Sequence, residues 1–111
     1  MGVDLAFKAL ADPRRREILR LVWDQELPAT TIAANFADVS RPAISQHLGV
    51  LKAAGLLTER RAGTRRLYCT DHRELRKLRT YLESFWSDSL AQLRELAEAA
   101  EATTTPTSRR S

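Results

Sequence analysis

The sequence predicts a mainly α fold carrying one two-stranded β hairpin, and three stretches predict it. Ser40 to Leu51 reads as a capped helix that follows another short helix across a tight turn. Leu56 to Thr70 holds two β-rich runs around the glycine-containing loop Ala62-Gly63-Thr64. From His72 to about Ala102, apolar residues recur at helical spacing.

A chain of 111 residues is long enough for one modest core, which we place in residues 1–102, followed by a tail at 103–111. An apolar fraction of 43% with visible periodicity excludes a wholly disordered chain. No apolar run is long enough to span a bilayer and no signal-peptide core follows the N-terminus, so a cytoplasmic location is expected. The one cysteine, Cys69, excludes an internal disulfide framework and suits a reducing compartment. Net charge is +4 with a pI near 9.8, which leans toward a polyanionic partner. The distribution says more. Residues 60–79 carry Arg60, Arg61, Arg65, Arg66, Arg73, Arg76, Lys77 and Arg79 against Asp71 and Glu74, and the sign reverses from residue 83 to 101.

Leu5 to Leu10 is a short helix. Asp12-Pro13 stops it and starts the next, with Asp12 as cap and Pro13 in the first turn. That second helix runs to about Trp23 over a stripe of Ile18, Leu19 and Val22. Arg14, Arg15 and Arg16 crowd its start, where cations oppose the macrodipole; they are either solvated or phosphate contacts. Asp24 to Pro28 reads as a turn, and Thr30 to Phe36 as a third helix with Ile32, Ala33 and Phe36 inward. Ala37-Asp38-Val39 then leads to Ser40, a strong N-cap, with Pro42 tolerated in the first turn. Two short helices so joined match a helix-turn-helix unit, whose second helix enters the major groove.

On the capped helix, Ile44, Leu48 and Leu51 form a narrow apolar stripe. The opposite face, Pro42, Ser45, Gln46, Gly49 and Ala53, is small, polar and uncharged, unlike an ordinary solvated helix face. Such a face fits a groove and offers hydrogen bonds to base edges. Gly55 supplies the left-handed residue that ends the helix. In the hairpin, Arg60, Arg61, Arg65 and Arg66 flank the tip, a gathering of like charge that is unfavourable unless an anion offsets it. In the last helix Leu75, Leu78, Leu82 and Phe85 keep 3–4 spacing, and Leu90, Leu93, Ala97 and Ala100 continue it after Trp86. Such a helix is on the order of 45 Å long. A core of this size leaves part of it uncovered, and a second copy of the chain is the simplest cover. Residues 103–111 lack apolar periodicity and read as a disordered tail.

The chain closely resembles the ArsR family of bacterial winged-helix repressors. The resemblance rests on Phe7-Lys8-Ala9-Leu10-Ala11-Asp12-Pro13-Arg14-Arg15-Arg16-Glu17-Ile18-Leu19, on Ser40 to Leu48, on Leu51-Lys52-Ala53-Ala54-Gly55-Leu56-Leu57, and on a wing from Arg60 to Tyr68. Phe85-Trp86 followed by Leu90 and Leu93 is similar to a metal-independent, autorepressor-like branch. The resemblance implies a winged helix-turn-helix that dimerises through its first and last helices, binds an imperfect inverted repeat and represses transcription. Metal-sensing relatives carry paired cysteines in the helix before the recognition helix; here that helix has Thr30, Thr31 and Asn35. His72 beside Asp71 cannot fill a tetrahedral site alone. No metal or cofactor is expected. Pro28 replaces the Ser or Thr cap of relatives, and Gly49 replaces a common lysine or arginine at a cost of about 1 kcal/mol in helix propensity.

The expected DNA contacts are therefore Ser40, Arg41, Pro42, Ser45, Gln46, His47, Gly49 and Lys52 on the recognition helix, with Arg60, Arg61, Thr64, Arg65 and Arg66 on the wing. Gln46 can bond bidentately to adenine and Ser45 to several bases, whereas Arg41, Lys52 and the wing arginines suit phosphates, with one wing arginine able to reach the minor groove. His47 borders the apolar stripe, so a packed, hydrogen-bonded role stands beside a DNA contact. The expected dimer face is Leu5, Phe7, Leu78, Leu82, Phe85, Trp86, Leu90 and Leu93. Cys69 reads as a half-buried strand residue, and no nucleophile–base pair or phosphate loop suggests an enzyme. Two other readings share this fold: a protein-interaction module that does not read DNA, and a sensor with a small molecule between the first and last helices. No effector is assigned.

Overall fold

Helix signals dominate the order of elements, and a computed structural model places them as α1 (Val3–Leu10), α2 (Pro13–Leu21), β1 (Leu27–Pro28), α3 (Ala29–Ala34), α4 (Arg41–Ala53), β2 (Leu57–Ala62), β3 (Arg65–Thr70) and α5 (His72–Thr103). The structure describes residues 3–103. Thr103, expected from the sequence to lie in the tail, belongs to α5; the rest of that expected tail, 104–111, lies outside the described residues.

The local punctuation behaves as read. The Asp12 carboxylate accepts from Arg14 N at 2.7 Å and from Arg15 N, with Pro13 opening α2. Ser40 Oγ accepts from Ala43 N at 3.2 Å, satisfying a first-turn donor of α4. Pro28 precedes α3 in extended conformation and provides no side-chain cap. Gly55 takes φ +80° after α4, the left-handed conformation that a side chain would strain.

The sheet departs from the two-stranded wing. Its order is β1-β3-β2, all antiparallel, with Leu27 opposite Tyr68 and Pro28 opposite Leu67. The segment read as a turn from Asp24 to Pro28 thus ends as a third, edge strand. An edge is where a proline can sit without removing a ladder bond, and two residues are too few to show a period. At the wing tip β2 and β3 pair through Ala62 opposite Arg65, leaving a two-residue turn, Gly63-Thr64, in place of a three-residue loop. Gly63 has φ +67° and no other residue of that turn has positive φ, the pattern of a type II′ hairpin.

The core draws on every element up to the start of α5. Ile18, Val22, Ile32, Ile44, Leu51 and Leu56 are its largest fully buried side chains. Leu78 joins them at 7% exposure, which corrects its assignment to the dimer face: the α5 stripe begins inside the core and leaves it further along. The described residues divide into two compact units, one reaching to Leu78 and the other starting at Arg79. In the second unit, Tyr81 and Phe85 meet edge to face with centroids 5.1 Å apart, and Arg79 pairs with Glu83.

Thr70, at the end of β3, is buried and closes the C-terminus of α2. Its hydroxyl donates to Leu19 O at 2.8 Å and its N–H donates to Val22 O at 3.0 Å, two carbonyls at the end of the helix ladder. Thr70→Val keeps the shape and leaves the Leu19 carbonyl without the hydroxyl. We expect a loss of about 1–3 kcal/mol, read as a lower urea midpoint at unchanged slope.

Candidate nucleic-acid interface

Helices α3 and α4 form the helix-turn-helix. The connection is longer than the expected Ala37–Val39 turn, because Asn35 and Phe36 leave α3 with their N–H groups on Ile32 O and Ala33 O. Burying Ile44, Leu48 and Leu51 fixes the rotation of α4, and Ser40, Arg41, Pro42, Ser45, Gln46, Gly49 and Lys52 are left exposed. A Cβ built on Gly49 meets nothing within 4 Å, so the residue is an open, smooth spot, with no close approach inside the chain to compensate its helix cost. Ser45 and Gln46 make no side-chain hydrogen bond among the described residues, so their groups remain available on that face.

The wing arginines are exposed, and so is Thr64 beside them. Their charge is partly offset inside the chain. Arg60 forms a two-pronged bond with Glu26, at 2.9 Å through Nε and 2.7 Å through Nη2. Glu59 on β2 takes Lys52 from α4 on one oxygen and Arg66 from β3, at 3.2 Å, on the other. The hydrogen bond from Arg60 holds the Glu26 carboxyl below the usual carboxylate range. Lys52 does the same to Glu59 through a hydrogen bond, helped by the charges of Arg66 and Arg61. The anions that the clustered arginines require are therefore supplied in part by Glu26 and Glu59. Arg61 and Arg65 form no ion pair among the described residues.

The arginine triplet of α2 is neither simply solvated nor free. Arg14 pairs with Asp38 and with Glu17. Arg16 Nη1 donates to Leu10 O at 2.7 Å. Arg15 Nε donates to Ala9 O at 2.7 Å and Nη2 to Lys8 O at 3.2 Å, so Arg15 and Arg16 together cap the last carbonyls of α1. The third nitrogen of Arg15 lies 3.3 Å from Nδ1 of His47, which is half-buried on α4. Burial pushes the Asp12 carboxyl up, but the N–H bonds from Arg14 and Arg15, with the charge of Arg15, hold it below the ordinary range.

His72 is tied to the fold. Its Nε2 meets Trp23 O at 2.6 Å and its ring lies against the Trp23 indole with centroids 4.4 Å apart. No group of three or more His, Cys, Asp or Glu among the described residues could hold a metal ion. Cys69 is half-buried in β3. An apolar groove of about 520 Å³ runs beside Ala6, Ala54, Leu56 and Leu78, with the Glu74–Lys77 pair on its edge. No helix among the described residues is long and apolar enough to cross a membrane.

On α5, Leu82, Phe85, Trp86, Leu90, Leu93 and Leu96 are between 41% and 67% exposed. Leu5 and Phe7 on α1 are 44% and 38% exposed.

A family profile described as a helix-turn-helix domain matches residues 10–60. The HTH-type transcriptional regulator Rv2034 of Mycobacterium tuberculosis is 44% identical over 96 residues, covering 86% of this chain and 89% of the relative. The transcriptional repressor SdpR of Bacillus subtilis is 44% identical over 57 residues, 51% of this chain and 62% of the relative. Among solved structures, an ArsR-like transcriptional regulator from Rhodococcus sp. RHA1 superposes with a TM-score of 0.80 at 31% identity, covering 90% of this chain and 93% of that one. The homodimeric winged helix-turn-helix DNA-binding domain Mb0332 of Mycobacterium bovis, described as a possible ArsR-family regulator, superposes with a TM-score of 0.61 at 29% identity, covering 80% and 82%.

Proposed function

This chain belongs to the ArsR family of winged helix-turn-helix transcriptional regulators, and on that footing we propose that it is a homodimeric repressor acting in the cytoplasm on an inverted-repeat operator. The observation that carries the reading is the exposed face of α4. Ser45 and Gln46 stand there with unengaged polar groups, flanked by Pro42 and Gly49 in place of long charged side chains. Such a face enters a major groove and bonds to base edges. Two copies set their α4 helices into grooves one helical turn or a multiple apart. The wing grips phosphates through Arg61 and Arg65, and through Arg60 and Arg66 once phosphate competes with their carboxylates. Support for two copies comes from the apolar side chains that α5 leaves uncovered and from the homodimeric Mycobacterium bovis neighbour. Support for repression comes from the relative SdpR.

Selection from a random duplex library gives the operator, and titrations of two variants then test the reading. Gln46→Ala is expected to lose about 1–3 kcal/mol on the selected duplex and little on a scrambled one. Arg65→Ala should weaken both alike and lower the slope of log affinity against log salt by about one. Equal loss on both duplexes for Gln46→Ala would refute base reading by this helix.

A further inference from the structure

His47 has two ring nitrogens, and the chain engages one of them. Nδ1 faces the Arg15 guanidinium at 3.3 Å, while Nε2 has no hydrogen-bond partner among the described residues. A guanidinium carries only donors. The bond therefore requires Nδ1 to accept, which puts the ring proton on Nε2. Arg15 is itself held in place, because its other nitrogens donate to Ala9 O and Lys8 O at the end of α1.

We propose that Arg15, although remote from the groove-facing side chains of α4, is a positioning residue for sequence specificity: it locks His47 as the Nε2–H tautomer, so that the recognition helix presents a single fixed donor beside Gln46. A fixed donor selects a base-edge acceptor, namely guanine O6 or N7, adenine N7 or thymine O4. It disfavours cytosine on the contacted strand, whose major-groove edge presents the N4 amino group. A histidine free to exchange its proton between nitrogens would accept or donate and would discriminate less. The inference rests on the proposed DNA-reading function and adds to it a residue outside the helix-turn-helix.

Two measurements on the full chain test it. Long-range ¹⁵N NMR of the free protein at about pH 8 should show the His47 ring as one neutral tautomer protonated at Nε2, and Arg15→Met should move its nitrogen shifts toward an average of the two tautomers. Selection from a random duplex library should then show one half-site position at which discrimination against cytosine falls roughly three- to tenfold in His47→Ala. Arg15→Met should lose the same preference at the same position while keeping those set by Gln46. Because Arg15→Met also uncaps α1 and can weaken folding, His47→Ala, which leaves the Arg15 bonds to α1 in place, fixes the position independently. A wild-type ring protonated at Nδ1, or Arg15→Met retaining the preference, would overturn the inference. An operator with no preference at any His47-dependent position overturns this inference alone. A wild-type chain that selects no sequence at all overturns the proposed function and this inference with it.

Discussion

Leu51→Ala is expected to remove about 2–5 kcal/mol of folding stability, a large part of the total that a small domain possesses. Leu51 is fully buried, and it shares the inner face of α4 with Ile44 at 2% and Leu48 at 4% exposure. Truncation there deletes apolar contacts and leaves a cavity beneath the recognition helix, surrounded by side chains already held close by their own packing. Gly49 sits two residues earlier and lowers helix propensity, so α4 depends on tertiary packing more than on intrinsic preference. A urea titration should show a much lower midpoint at unchanged slope. The adjacent exposed position offers the contrast. Lys52→Ala should change stability by no more than about 0.5 kcal/mol, although it frees one oxygen of Glu59. A small effect of Leu51→Ala would mean that α4 is not anchored by this stripe.

What was legible in the sequence is what local chemistry decides. Asp12, Ser40 and Gly55 announce helix ends because their partners lie within a few residues. The alternation of buried and exposed positions on α4 follows from a period visible within one helix. The parts that escaped are pairings across long sequence separations. Thr70 reaches Leu19, Arg60 reaches Glu26, and Arg15 reaches His47, each bringing together segments that no periodicity links. Leu78 was misplaced for a related reason. Helical spacing marks which residues share a face, but not where along the helix the covering core stops. The strand Leu27–Pro28 is too short to signal itself and exists because β3 offers it an edge. For the wing one signal was available. Alternate residues of β2 share a face, so the carboxylate of Glu59 beside basic residues hinted that the arginine cluster was partly neutralised at home.

That partial neutralisation shapes how the wing would meet DNA. Lys52 and Arg66 already share Glu59, so a phosphate must displace a carboxylate to engage them, and the net gain is smaller than for Arg61 or Arg65. The same carboxylate bridges the end of α4 to the wing. For this reason Arg65, which forms no ion pair among the described residues, is the position where alanine most directly reports the phosphate term.

Leu90→Glu is expected to abolish the proposed dimer and, with it, most operator affinity. Leu90 is 61% exposed in the single chain, so a carboxylate there is well hydrated and leaves the packing of that chain intact. In a pair of copies joined along α5 the same position is enclosed, and each glutamate would be buried without a partner, at a cost that exceeds the apolar contact it replaces. α5 has 32 residues, about 48 Å at the usual rise, enough to carry an apolar seam from Leu82 through Trp86, Leu90 and Leu93 at 3–4 spacing. Sedimentation should report a monomer for Leu90→Glu and a dimer for the parent chain. Gln92→Glu, on the same turn but off that seam, should remain dimeric. Two half-sites bound by linked copies gain from effective concentration, so uncoupling them should weaken binding to the inverted repeat by about 10²–10⁴-fold. Affinity for a single half-site should stay nearly unchanged, because α4 and the wing are untouched. Retention of the dimer by Leu90→Glu would place the subunit contact elsewhere and leave the exposed stripe of α5 for another partner.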